Sequence, residues 1–221
     1  GASSWHGRAH ALAALARIDV NVFDLLRRDS RHPVWQVRMY VARGAAASRD
    51  TAVLSRLAFD EVGNVREVAL QGLAATIGHL AHLIFVRALS SADYHVVLAA
   101  ARALKGAPVR DSVVPALFDA LERISKENRQ TSRDPRIELL SRIREMGDAQ
   151  SGSRLQPLLT DVDPAVAAEA ASVLSQLTGR HALATTVPAP DPPDELPSGA
   201  ILVRVTMSAA SGGGVFDIAL D

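Results

Sequence analysis

The sequence predicts an all-α protein, an α-solenoid of stacked antiparallel helix pairs, followed by a short C-terminal β-hairpin. Three observations predict it. Hydrophobic residues make up 48% of the chain, yet aromatics only 4%, so alanine and leucine carry the apolar content. That suits closely packed helices better than a β-sandwich, which draws on Val, Ile, Tyr and Phe. The same Ala/Leu texture recurs about every 30 residues. It then stops at a proline-rich stretch, after which apolar residues alternate.

The repeat is clearest when QVRMYVARGAAA (36–47) is laid on NVREVALQGLAA (64–75): Val37-Arg38 falls on Val65-Arg66 and Gly44 on Gly72, an offset of 28. HVVLAAARALKG (95–106) follows with Leu104 on Leu73, an offset of 31, and the Asp-Pro starts at 134 and 163 lie 29 apart. Each unit reads as a first helix, a turn and a second helix. First helices are predicted at 7–17, 33–46, 62–76, 93–105, 135–146 and 164–178. Second helices are predicted at 20–28, 50–59, 79–90, 111–126 and 152–159.

Local chemistry supports these boundaries. Pro33, Pro135 and Pro164 sit where a first helical turn tolerates a missing N–H, with Asp134 and Asp163 placed to cap. Gly179 and Gly147 follow helix ends as glycine caps. The polar SKENRQTSRD (125–134) reads as an extended loop. The uncharged stretch 69–86 contains Gln71, His79 and His82 and fits two short buried helices better than a membrane span. Small residues such as GAAA (44–47) let helices approach closely, while stacking covers the apolar face that one pair leaves open.

On these residues (HPVWQVR at 32–38, Asp60 with Val65-Arg66, and the two Asp-Pro starts) the chain resembles the HEAT-repeat family, including its short bacterial variants, over about 7–179. The resemblance implies a right-handed solenoid whose second helices form the concave side, and a role in protein binding. Val97 departs from the pattern, standing where Arg66 would align.

Lys+Arg and Asp+Glu are both 24, so no whole-molecule field favours nucleic acid or anionic lipid, although Trp5, Trp35 and Tyr40 invite the DNA comparison. Cysteine is absent, which excludes disulfides and thiolate chemistry. The pairs His79/His82 and His6/His10 lack a third ligand at useful spacing, so no metal site is expected. The glycines at 212–214 lack the Gly-Lys-Ser/Thr of a phosphate loop. No catalytic residue or cofactor is assigned. Arg38 and Arg66 are expected to form structural ion pairs with turn acids such as Asp29 or Asp60. Arg27, Arg28, Arg56, Arg87 and Arg123, on second helices, are the candidate partner surface.

The chain divides into a helical domain (1–186), a linker (187–199) and a hairpin (200–221). The linker VPAPDPPDELPSG has five prolines in thirteen residues and cannot continue a helix. In ILVRVTM and VFDIALD the apolar and variable positions alternate, as in an amphipathic hairpin, which is marginal alone. Gly214, Phe216, Ile218, Leu220 and Asp221 resemble the opening of a cyclophilin-type peptidyl-prolyl isomerase. That resemblance implies an isomerase domain whose catalytic residues lie beyond this match, so the chain itself is expected to be inactive. The expected partner is then a protein or peptide, including proline-containing clients, with self-association through the hairpin as a further route. The alternatives are a stand-alone scaffold and a nucleic-acid-binding repeat. The opening GASSWHGRAH reads as a junction, and no signal peptide is visible; bacterial cytoplasm and periplasm both stay open.

Overall fold

A computed structural model describes residues 22–127 and 129–185, Gly7, and the backbone of 201–207 and 214–220. The chain forms two compact units, 1–186 and 187–221. The described part of the first is all-helical. The predicted helix at 7–17 apart from Gly7, which is helical, the His6/His10 pair and the linker 187–199 lie outside the described residues, as do the side chains of the predicted hairpin.

From Val22 on, the described helices of the first unit are α1 (Val22–Asp29), α2 (Trp35–Ser48), α3 (Thr51–Leu57), α4 (Gly63–Thr76), α5 (His82–Ala88), α6 (Tyr94–Ala103), α7 (Arg110–Lys126), α8 (Arg133–Met146) and α9 (Pro164–Thr178). Three 3₁₀ segments join them: Gly78–Ala81, Gln130–Ser132 and Ser151–Thr160. The predicted helix 79–90 is therefore a 3₁₀ turn running into α5, and the predicted helix 152–159 is 3₁₀ throughout. The loop expected at 125–134 is mostly helical, because α7 runs to Lys126, Gln130–Ser132 is a 3₁₀ turn and α8 begins at Arg133.

The helices form two rows. In the first row α2, α4, α6, α8 and α9 pack on one another in chain order. Each second-row element packs most extensively on the first-row helix that follows it: α3 on α4, α5 on α6, α7 on α8, and Ser151–Thr160 on α9. The compact pair thus spans the Asp-bearing loop, one step out of phase with the first-then-second pairing expected from sequence. Packing explains the first row's composition. Ala42, Ala45, Ala69, Ala100, Ala101 and Ala170 are buried along it. A Cβ on Gly72 would stand 2.7 Å from a Leu54 methyl and 3.1 Å from the Ala46 Cβ. Leu54, Leu57, Phe85, Leu89, Leu117, Phe118 and Leu155 fill the space between rows.

Several caps follow the sequence and others do not. Asp163 accepts from the Ala165 N–H with Pro164 in the first turn, and Gly179 closes α9 at φ 67°. Asp50 caps α3 through the Val53 N–H. Pro33, by contrast, lies in the turn before α2, where its carbonyl accepts from Arg38. Asp134 and Pro135 fall inside the first turn of α8, because the helix starts at Arg133 and its cap position is Ser132. Gly147 is extended, at φ −71° and ψ 171°, and is not a left-handed cap. Its need for glycine is steric: a Cβ there would lie 2.7 Å from the Ile143 carbonyl oxygen. The following reversal belongs to Asp148 and Ser151, which exchange bonds of 2.8 and 3.1 Å.

Residues 181–185 fold back on the last pair. Ala182 bonds to the Ser175 hydroxyl at 2.9 Å, and the Thr185 N–H reaches the Leu159 carbonyl at 2.9 Å. In the second unit, β1 (Ile201–Met207) and β2 (Gly214–Leu220) run antiparallel, with Val203 opposite Ile218 and Arg204 opposite Asp217.

Candidate binding surface

In α2, α4 and α8 the fourth residue is an arginine that ties the helix to the junction ahead of the next first-row helix. In α2 this is Arg38, buried between elements. Its Nε and Nη2 bond both oxygens of Asp60 at 2.7 and 2.8 Å, and Nη1 bonds the His32 carbonyl at 2.9 Å. One planar guanidinium thus ties the loop before its own helix to the loop before the next. The Asp60 hydrogen bonds hold Arg38 above its ordinary pKa, against burial. Arg66 repeats the arrangement one helix on, bonding the Asp60 and Glu61 carbonyls at 2.7 and 3.0 Å and pairing with Asp93. Asp60 therefore meets Arg66 only through its carbonyl. Asp29 pairs with the adjacent Arg28 at 3.1 Å.

In α8 the fourth residue is Arg136, only 1% exposed. It bonds Asp161 at 2.6 Å and the Ser132 carbonyl at 3.3 Å. Sequence comparison missed it because the Asp-Pro starts placed α8 out of register; counting from the Val-Arg step would have found it. In α6 the fourth residue is Val97, fully buried. There Tyr94, at the start of α6, bonds Glu127, and Arg123 spans from the Leu89 carbonyl (2.9 Å) toward Glu127 (3.7 Å).

The five arginines assigned to a partner surface have different surroundings. Arg123 is spent on the junction just described. Arg27 is exposed, 4.0 Å from Asp50. Arg28 holds Asp29. Arg87 stands over the Phe59 ring at 4.7 Å. Arg56 lies in a shallow groove of about 320 Å³ lined by Arg31, Arg38, Phe59, Asp60 and Glu61. Burial lowers the Arg56 pKa, as does repulsion from Arg31 and Arg38, while Asp60 opposes the shift. The structure thus brings Arg56 and Arg87 together around Phe59, and places Arg123 elsewhere. Arg31 and Phe59 were missed in the sequence: an arginine in a turn and a phenylalanine at a helix end carry no pattern.

Phe59 is 49% exposed, and Leu80 and Leu83 are 84% and 68% exposed. Leu83 and Arg87 are one turn apart on α5, so the apolar exposure continues along that helix. Between α4 and α6 on the first row, a second groove of about 320 Å³ has an alanine floor with Glu67, Gln71 and Arg102 at its rim.

Among the described residues no group of three His, Cys, Asp or Glu side chains is placed to hold a metal ion. His79 bonds the Lys105 carbonyl and His82 the His79 carbonyl. No described helix is long and apolar enough to cross a membrane.

The fold is similar to the crystal structure of an engineered protein from a structural-genomics consortium. Identity is 20% and the TM-score 0.51, over 80% of this chain and 93% of that one. At that identity the likeness concerns the fold alone. No family model and no curated protein matches the chain.

Proposed function

We propose that the helical unit is a protein-binding scaffold, a right-handed α-solenoid of the HEAT type that offers its uncovered faces to a protein or peptide. One observation carries this reading: Phe59, Leu80 and Leu83 stand exposed along the second row, Phe59 beneath the Arg87 guanidinium and Leu83 one turn before it, where a solvated surface would favour polar side chains. The recurrence of arginine–aspartate pairs at the α2–α4, α4–α6 and α8–α9 junctions also suits a stack in which each pair contacts only its neighbours.

The second unit is read as a β-hairpin opening a cyclophilin-type isomerase domain, on the residues at 214–221 alone. The scaffold would then raise the local concentration of proline-containing clients for that domain. Titration of the 221-residue chain with an unfolded, proline-containing protein tests the scaffold: saturable binding is expected, and its absence would overturn the reading. Catalysis of X–Pro isomerisation by the same chain is expected to be nil. Activity above the uncatalysed rate would place chemistry within these residues and refute the assignment.

A further inference from the structure

We infer that the groove beside α3 is an acidic-peptide site, in which Arg31 and Arg56 clamp an Asp or Glu carboxylate of a partner while Phe59 receives the neighbouring apolar side chain. The inference rests on the scaffold reading and names the chemistry of its partner.

The argument begins with charge. Arg38 is occupied on every side, by Asp60, Glu61 and two loop carbonyls. Arg31 and Arg56 line the same groove, yet among the described residues neither guanidinium has a hydrogen-bond or ion-pair partner. They lie close enough together for Arg31 to act unfavourably on the charge of Arg56. Asp60 offsets part of the Arg56 charge, but both of its oxygens are bonded by Arg38. A further carboxylate bridging Arg31 and Arg56 relieves the remaining repulsion, and guanidinium forks fit a carboxylate in two-pronged fashion.

The apolar half adjoins. Phe59 closes the groove at the end of α3, half exposed, with the Arg87 guanidinium over its ring at 4.7 Å. That contact restrains the ring and gives an apolar side chain a fixed surface. The buried Leu57 lies at the same wall. An anchoring acid next to an apolar residue matches this juxtaposition. A polyphosphate backbone matches it less well: Phe59 and Leu57 make part of the wall apolar, which a run of phosphates cannot use, and the chain has no net charge.

The test uses the full chain and a short fluorescent peptide alternating glutamate with leucine. Its counterpart carries glutamine at each acidic position. Fluorescence anisotropy should show the acidic peptide binding at least about tenfold more tightly, a difference that shrinks as salt is raised. The double variant Arg31→Gln with Arg56→Gln should abolish that preference. Arg180→Gln, altered in the exposed turn after α9 and outside the groove lining, should keep it. Both variants are first shown by circular dichroism to be folded. Equal binding of the two peptides would overturn the inference, as would indifference to the double variant. So would tighter binding of a single-stranded oligonucleotide that displaces the peptide through the same two arginines. If the unfolded client still binds while the acidic peptide does not, only the site fails; if neither binds, the scaffold reading fails with it.

Discussion

Arg136 and Asp161 form the most deeply buried ion pair among the described residues, with side-chain exposures of 1% and 6%. Removing one member leaves a charge without a partner in a water-poor site. Arg136→Ala is therefore expected to cost about 3–5 kcal/mol, whereas replacing both by apolar residues of similar size, Arg136→Met with Asp161→Leu, should leave stability within about 1 kcal/mol or raise it. Urea unfolding separates the two outcomes, and equal losses would show that the pair itself supplies net stability. A second residue-scale consequence concerns acid. Burial would raise the Asp163 pKa, but bonds from Arg133 and the Ala165 N–H, with the Arg133 charge, bring it below the ordinary value. Because the folded pKa is the lower one, this stabilisation is fully present above about pH 4 and is lost as pH falls through the folded value. Asp163→Asn should therefore flatten the acid limb of the stability profile below pH 4; an unchanged limb would assign acid sensitivity to other carboxylates. Such roles were partly legible. The recurrence of Val-Arg pointed to Arg38 and Arg66, but their carboxylate partners lie 22 and 27 residues away, and only packing decides which loop acid each reaches.

At the scale of elements, the close contact of α2, α3 and α4 depends on Gly72. Leu54 is fully buried, so its methyl cannot swing aside to admit a new Cβ. Gly72→Val should cost about 1–3 kcal/mol by overpacking. Gly78→Ala tests the opposite logic: nothing surrounds the added carbon, but φ is +55°, so the loss comes from backbone strain alone. Thermal unfolding of both variants checks these expectations, and an unperturbed Gly72→Val protein would mean the helices can separate cheaply. The first-row helices were legible because their apolar spacing is long and helical; α4 and α9 begin and end within a residue or so of the expected positions. The second row was harder. Ser151–Thr160 contains Pro157, which has no N–H to donate, and the segment winds as a 3₁₀ helix. The equivalence of Gly147 and Gly179 also failed, since composition records that a glycine is needed but not whether a positive φ or a close carbonyl requires it.

For the whole molecule, the pairing of each second-row element with the following first-row helix leaves the far end of the stack in need of cover. Residues 181–185 supply it: Ala182 packs on the core and bonds Ser175, while Thr185 pairs with Leu159. Sequence alone placed the helical domain's end at 186 but gave no sign of this return, because what residues 182 and 185 contribute to the anchoring bonds is their backbone N–H, which nearly every residue carries. Two truncations distinguish an attached cover from an idle tail. A chain ending at residue 186 retains every one of these contacts and should unfold at a midpoint close to that of the whole chain, since the second compact unit begins after it. A chain ending at residue 180 loses them and uncovers the groove formed by Leu159, Leu174 and Thr178. Its midpoint should fall by several degrees, as a loss of about 1–2 kcal/mol does in a domain of this size. Identical midpoints would show that the return contributes nothing and that α9 is itself a sufficient cap. A large drop already at 186 would show that the helical unit draws stability from residues 187–221.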